Sequence, residues 1–247
     1  SAIKERGDAI AAGLHASVTG GVGQFCTKPG LVFLPKDADE FVSSFNRSIE
    51  KTAPSPLLTG GIRSSYVAGS QKRAAEVGKV VANEEADLPG FSVNPSAFET
   101  SAVEFLNTPD LNDEIFGPTT LLIRSNEHEE LLSIARSLEG QLTASIHGTE
   151  EDMKEYADLI AILETKVGRL IFNGFSTGVE VCPSMVHGGP YPATSDGRST
   201  AVGTRAITRF ARLVCYQNFP DQALPDELKD GNPLGISRMI DGEFMKA

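Results

Sequence analysis

Tryptophan is missing from the 247-residue sequence, and cysteine occurs only three times, at Cys26, Cys182 and Cys215. These three lie far apart, with no CxxC pair and no Cys/His cluster at zinc-ligand spacing, so neither a disulfide framework nor a metal site is indicated. Such sparing cysteine usage fits a reducing, cytoplasmic setting. No apolar run approaches the roughly 20 residues that a membrane span needs, and residues 1–14 are charged and alanine-rich rather than signal-like, so no membrane partner is expected. Basic residues are outnumbered, 22 Lys and Arg against 33 Asp and Glu, for a formal charge of -11. That balance, without a basic stripe carrying interleaved aromatics, excludes nucleic acid as an expected partner. An anionic substrate would meet the same repulsion and would need local arginines. Arg198, Arg205, Arg209 and Arg212 are the candidates, because a planar guanidinium suits a carboxylate, and the sequence gives no ground to choose among them. No GxGxxG follows a strand, so nothing in this chain cradles a pyrophosphate.

The pattern that is present reads as α/β. Ile3, Ile10 and Leu14 recur at helical spacing before a glycine-rich break, and Leu31 to Leu34 then read as a buried strand. Asp37 and Glu40 resemble a capping box opening a helix to Lys51, with Phe41, Phe45 and Ile49 on one face. Residues 59–87 read as mostly helical, with breaks at Gly60, Gly61 and Gly78, and residues 89–112 as loop with short extended pieces. Thr119 to Arg124 form a strand, Ser125 caps a helix through Leu138, Gly140 stops it, and Leu142 to Ile146 form the next strand, together one β-α-β unit. Thr149 and Asp152 open another helix, and Leu170 to Phe172 follow as a strand. This alternation argues for a largely parallel sheet flanked by helices. Residues 174–199 lose periodicity, which marks either a functional loop or a disordered one, and their glycines and prolines suggest fixed turns. Helical spacing resumes over residues 202–211, and the polar tail holds a turn signal at Asp241-Gly242.

Cys26 falls in the connection between the first helix and the first strand, within GGVGQFCTKPGLVFLP. A thiol at a glycine-flanked turn is either one more small buried group or a nucleophile, since turn amides and close backbone approach both favour attack on a carbonyl. His187, before a Gly-Gly pair in the loop, is either structural or a partner that tunes Cys26. His15, His128 and His147 have no partner legible in the sequence, and Cys182 and Cys215 read as packing, although Cys182 shares the loop with His187. Gly23, Gly117, Gly188 and Gly189 read as permissions for turns. Taken alone, Glu114 is a solvated turn residue and Phe116 a core aromatic.

Three segments change that balance. GQFCTKP at residues 23–29, EIFGP at 114–118 and GVEVCPSMVHGGPYPATSD at 178–196, the last followed by VGTRAITRFARLVCYQNFP, resemble the cysteine, cofactor-ribose and C-terminal motifs of the aldehyde dehydrogenase superfamily. The order and separation match, and the resemblance runs along essentially all 247 residues. The pattern is similar to the branch that oxidises alpha-ketoglutaric semialdehyde or, with NADP, fatty aldehydes.

The resemblance implies the superfamily's catalytic-domain fold, with residues 1–217 as the cysteine-bearing domain and 218–247 as a tail for association or docking. It implies that Cys26 attacks a small-molecule aldehyde through a thiohemiacetal and a thioester, with its backbone N–H helping to hold the oxyanion. Glu114 corresponds to the carboxylate that accepts from the nicotinamide-ribose hydroxyls, and Phe116 to a neighbour of the nicotinamide ring. NADP is the implied cofactor, with NAD as the alternative, bound mainly by an upstream nucleotide-binding half. The family's base glutamate and oxyanion asparagine also precede the point where this chain begins, and Ser1 in place of an initiator methionine fits a fragment or a processed chain. A homo-oligomer is implied as well. Alpha-ketoglutaric semialdehyde is the first substrate reading. A long-chain aldehyde, an inert folding and oligomerisation module, and a stand-alone thiol hydrolase built on Cys26 and His187 stay open.

Overall fold

The computed structural model describes residues 2–77, 80–82 and 89–246. These fall into two units, Ser1–Arg209 and Phe210–Ala247.

In the first unit, helix α1 (Ala2–Thr19) is followed by strand β1 (Leu31–Pro35), helix α2 (Asp39–Lys51), strand β2 (Ser55–Pro56), helix α3 (Gly60–Val77) and strand β3 (Val80–Ala82). Strands β4 (Ser92–Val93) and β5 (Ser96–Ser101), helix α4 (Ala102–Asn107), strand β6 (Thr119–Ser125) and helix α5 (His128–Ser137) come next. Strand β7 (Gln141–Ile146), helices α6 (Glu150–Glu155) and α7 (Ala157–Glu164) and strand β8 (Val167–Phe172) complete its α-helices and strands, and the helical spacing read over 202–211 takes the form of a 3-10 helix, Thr204–Phe210. The main sheet has the order β1-β6-β5-β3. β6 lies at its centre, parallel to β1 and β5, while β3 joins antiparallel to β5.

The period of two along the central strands decides which helices cover which face. Leu122 of β6 and Ala97 of β5 meet Ile10, Leu14 and Val18 of α1 and Phe41, Phe45 and Ile49 of α2. Their neighbours Leu121, Ile123 and Phe98 point the other way, to Phe105 of α4, Leu111, and Ile134 and Leu138 at α5. A third cluster, Leu57, Tyr66, Val93 and Ile115, packs α3 beneath the segment that carries Glu114.

Several expectations need correction. The β-α-β unit does not close within one sheet, because β7 pairs parallel with β8 in a separate two-stranded sheet. β1 is only half-buried over Leu31 to Phe33, since it is the edge strand and borders a cavity. The Asp37/Glu40 capping box does not form: Ala38 takes the N-cap position, and Asp37 pairs with Lys4 at 3.5 Å. Ser125 does not cap α5 either; it ends β6, and its hydroxyl donates to the Glu127 carbonyl at 2.9 Å. Residues 89–112 hold a full buried strand and a helix in addition to loop. The helix read over 59–87 ends at Val77 and gives way to β3, while Gly78 and residues 83–87 lie outside the described residues. The Thr149/Asp152 box forms as read, with bonds of 2.9 and 3.2 Å, but Tyr156 at φ -103 and ψ 28 divides the helix it opens.

In the second unit, strands β9 (Arg238–Ile240) and β10 (Glu243–Met245) form an antiparallel hairpin about Asp241 and Gly242, whose φ values are 51 and 85. Positive φ at both positions is what a two-residue Asp-Gly hairpin turn requires. No described helix is long and apolar enough to cross a membrane.

Candidate active site

The Cys26 thiol is presented by a strained approach and a tight turn. After α1 the chain makes a short 3-10 turn over Gly20–Gly23, with φ of 55 at Gly21, 56 at Val22 and 66 at Gly23. Val22 is β-branched and pays about 1–3 kcal/mol for that conformation. It is held there by packing beside Leu57, Tyr66 and Ile115. Gly23 lets the backbone press against residues 117–118, because any Cβ there would overlap the Gly117 carbonyl. The Lys28 N–H then donates to the Phe25 carbonyl at 3.1 Å, which places Cys26 at the second position of a four-residue turn, exposed.

Two side chains lock that turn from opposite sides. Thr27 donates its hydroxyl to the Ser176 carbonyl at 2.8 Å, and Ser176 returns its own to the Thr27 carbonyl at 2.6 Å. Lys28 donates to the Ile115 and Thr119 carbonyls at 3.2 and 2.8 Å. Burial pushes its amine down to about 8, with the Glu114 carboxylate opposing the shift and the Arg73 guanidinium adding to it.

The glycine-rich loop after β8 brings His187 to the thiol, with Nε2 3.3 Å from Cys26 Sγ. Its main chain is fixed by its N–H donating to Thr200 Oγ1 at 2.8 Å and its carbonyl accepting from Ala201 at 2.9 Å. Arg169 on β8 donates to the Ser176 and Gly178 carbonyls at 2.9 and 3.3 Å and so holds the start of the loop. The Gly188 carbonyl lies so close to Gly168 that no side chain fits between loop and strand. Burial, and then the charge of Arg169, hold His187 below the usual histidine range, so its imidazole is neutral at pH 7. Its Nδ1 is buried with no hydrogen-bond partner among the described residues, so the pair lacks the third, orienting group of a triad.

A cavity of about 1040 Å³ runs from Cys26 between β1 and β7, and Lys28, Glu114, Ile115 and Phe175 contribute to its wall. Glu114 is exposed at its edge. Phe116 is not among the lining residues and is 37% exposed. His187, Asp196, Ser199 and Arg209 border a smaller hollow of about 270 Å³, which Cys26 does not line. Arg209 is therefore set apart from the other arginine candidates; Arg198 is an exposed partner of Asp196 at 3.4 Å. Cys182 contacts the Ser184 hydroxyl at 3.4 Å and lines neither space.

His15 and His128 do have partners, Thr52 at 2.6 Å and Asp158 at 3.0 Å, and His147 stacks on Phe175 with ring centroids 4.7 Å apart. Lys28 escaped the reading of the sequence, as did the Thr27–Ser176 exchange. Nothing in KP before a strand distinguishes a buried lysine from a solvated one, whereas the Ser101-x-x-Glu104 box opening α4 was a legible signal.

No protein-family model matches the sequence. Alpha-ketoglutaric semialdehyde dehydrogenase 2 of Azospirillum brasilense is 43% identical over 246 residues, 98% of this chain and 47% of that protein. Alpha-ketoglutaric semialdehyde dehydrogenase of Acinetobacter baylyi is 43% identical over 245 residues, with the same coverage of 98% and 47%. The chain thus spans about half the length of the curated relatives it matches. Among solved structures, 1-pyrroline-5-carboxylate dehydrogenase from Thermus with bound NAD shares the fold at a TM-score of 0.60 and 21% identity, over 71% of this chain and 34% of that one. On its sequence likeness to the two semialdehyde dehydrogenases along almost its whole length, the chain belongs to the aldehyde dehydrogenase family.

Proposed function

We propose that Cys26 is the nucleophile of an NADP-dependent aldehyde dehydrogenase that oxidises alpha-ketoglutaric semialdehyde to 2-oxoglutarate. The observation that carries this reading is the 3.3 Å approach of His187 Nε2 to Cys26 Sγ, beside a cavity that Glu114 also borders. Neutral His187 accepts the thiol proton as sulfur bonds to the aldehyde carbon, and the carbonyl oxygen takes up the negative charge of the thiohemiacetal. The Cys26 N–H is assigned as the donor to that oxygen.

Glu114 fits the nicotinamide ribose, because an exposed carboxylate at the cavity edge can accept from both hydroxyls of a diol, and Phe116 borders the ring. When bound, the nicotinamide supplies the acceptor for the hydride that converts the cysteine adduct to a thioester. The rest of the nucleotide is assigned to a nucleotide-binding half like the remainder of the relatives' length, and so is the base that activates water against the thioester. Arg209 takes the substrate carboxylate, since of the four arginine candidates it is the one that shares a hollow with His187. Residues 218–247 are assigned to association with a second copy; Met239 and Phe244 of their hairpin are 71% and 67% exposed. A second reading, a long-chain aldehyde as substrate, draws on the apolar lining of the large cavity, which includes Leu31, Phe33, Leu142 and Ile160.

The nucleophile is tested by alkylating the chain with iodoacetamide and mapping the labelled peptides. Cys26 and Cys215 are both exposed, so access alone does not separate them. Cys26 is expected to react roughly tenfold faster than Cys215 or Cys182 at pH 8, and to lose that advantage in His187→Gln. Equal rates at the three cysteines would sink the proposal.

A further inference from the structure

Lys28 lies two residues beyond Cys26 and is 8% exposed. The carbonyls that receive its ammonium, Ile115 at 3.2 Å and Thr119 at 2.8 Å, stand at either end of the Phe116-Gly117-Pro118 bend. One charged group therefore closes that bend from both sides while its own main chain closes the turn that displays the thiol. An apolar chain of equal length would fill the same space without the cost of taking a charge out of water, so the two bonds are what the amine adds. The thiol turn has a separate anchor in the Thr27–Ser176 exchange. What Lys28 adds, beyond the backbone contact of Gly23 with residues 117–118, is a polar hold on the spacing between that turn and the segment bearing Glu114 and Phe116.

We infer that Lys28 is a positioning residue, which holds the Glu114–Thr119 bend at a fixed separation from the Cys26 sulfur and thereby sets where a ribose on Glu114 lies relative to the thiol. The inference rests on the reading of Cys26 and Glu114 as two sides of one oxidation site.

Hydrogen exchange followed by mass spectrometry on the wild-type chain, Lys28→Met and Lys28→Arg tests it. In Lys28→Met, peptides covering residues 113–120 should exchange at least tenfold faster, while Cys26 alkylation stays within twofold of wild type. Lys28→Arg, which keeps donors for both carbonyls, should restore slow exchange. Unchanged exchange in Lys28→Met, or an arginine variant as loose as the methionine one, overturns the inference. If Lys28→Met does not fold, reductive methylation of the wild-type chain decides: Lys28 should react at least tenfold more slowly than the exposed Lys36 and Lys51, and equal reactivity refutes the buried clamp. The nucleophile reading fails on a different readout, the wild-type rate of Cys26 against Cys215, so the two failures are distinguishable.

Discussion

Replacing Gly23 by alanine tests whether the thiol turn and the Glu114 segment are seated against each other through their backbones. Two costs are separable. Alanine at φ 66 pays the left-handed penalty, about 1–2 kcal/mol. Its Cβ would also overlap the Gly117 carbonyl and stand 2.6 Å from Pro118 N, and because these are main-chain atoms, relief requires a backbone shift of about 1–3 kcal/mol. Gly90 provides the control. Its φ of 63 nearly matches, yet nothing lies within 4 Å of a Cβ there. Gly90→Ala should therefore cost about 1–2 kcal/mol and Gly23→Ala about 2–5 kcal/mol, the latter lowering the melting temperature by about 4–20 °C in a chain of this size. Urea denaturation of both variants, with the slope checked for constancy, gives the comparison. If the two alanines cost the same, the contact between residues 23 and 117 contributes nothing and the backbone seating is refuted.

Two further outcomes follow from the same geometry. Ser176→Ala removes the donor to the buried Thr27 carbonyl and should destabilise by about 1–3 kcal/mol, read as a lower urea midpoint; a midpoint unchanged from wild type would mean that the exchange does not hold the turn. His15, His147 and His187 are all held below 6.5, each first by burial, so between their folded values and 6.5 the unfolded chain binds more protons than the folded one. Stability should therefore fall as the pH is lowered through 6.5, before any carboxylate titrates, and urea midpoints that stay level from pH 7.5 to 5.5 would contradict this.

Where a local code governed the outcome, the sequence was readable. Phe41, Phe45 and Ile49 bury one face of α2 as their spacing requires, and Asp241-Gly242 turns a hairpin. Strand β5 was missed because SAFETS carries a serine or threonine at three of six positions and a glutamate at a fourth, and its burial comes from its place beside β6 rather than from its composition. The same limit applied at the site. Cys26 and His187 were legible as residue types beside glycines, but their 3.3 Å approach depends on where β8 releases the loop. The fate of the Lys28 charge depends on two carbonyls about ninety positions away. Separation of β7 and β8 from the main sheet likewise had no local signal, since β7 would read the same beside either neighbour.

The Thr27–Ser176 exchange joins residues 149 positions apart. On a ribosome adding about 5–20 residues per second, roughly 7–30 s pass between synthesis of the cysteine and synthesis of the serine that secures its turn. Throughout that interval the sulfur is already made while its surroundings are not, so oxidants and electrophiles meet it as an ordinary thiol of a nascent chain. On the proposed role of Cys26, reactivity is acquired late, because the order of synthesis delays the moment at which the sulfur reaches its folded setting.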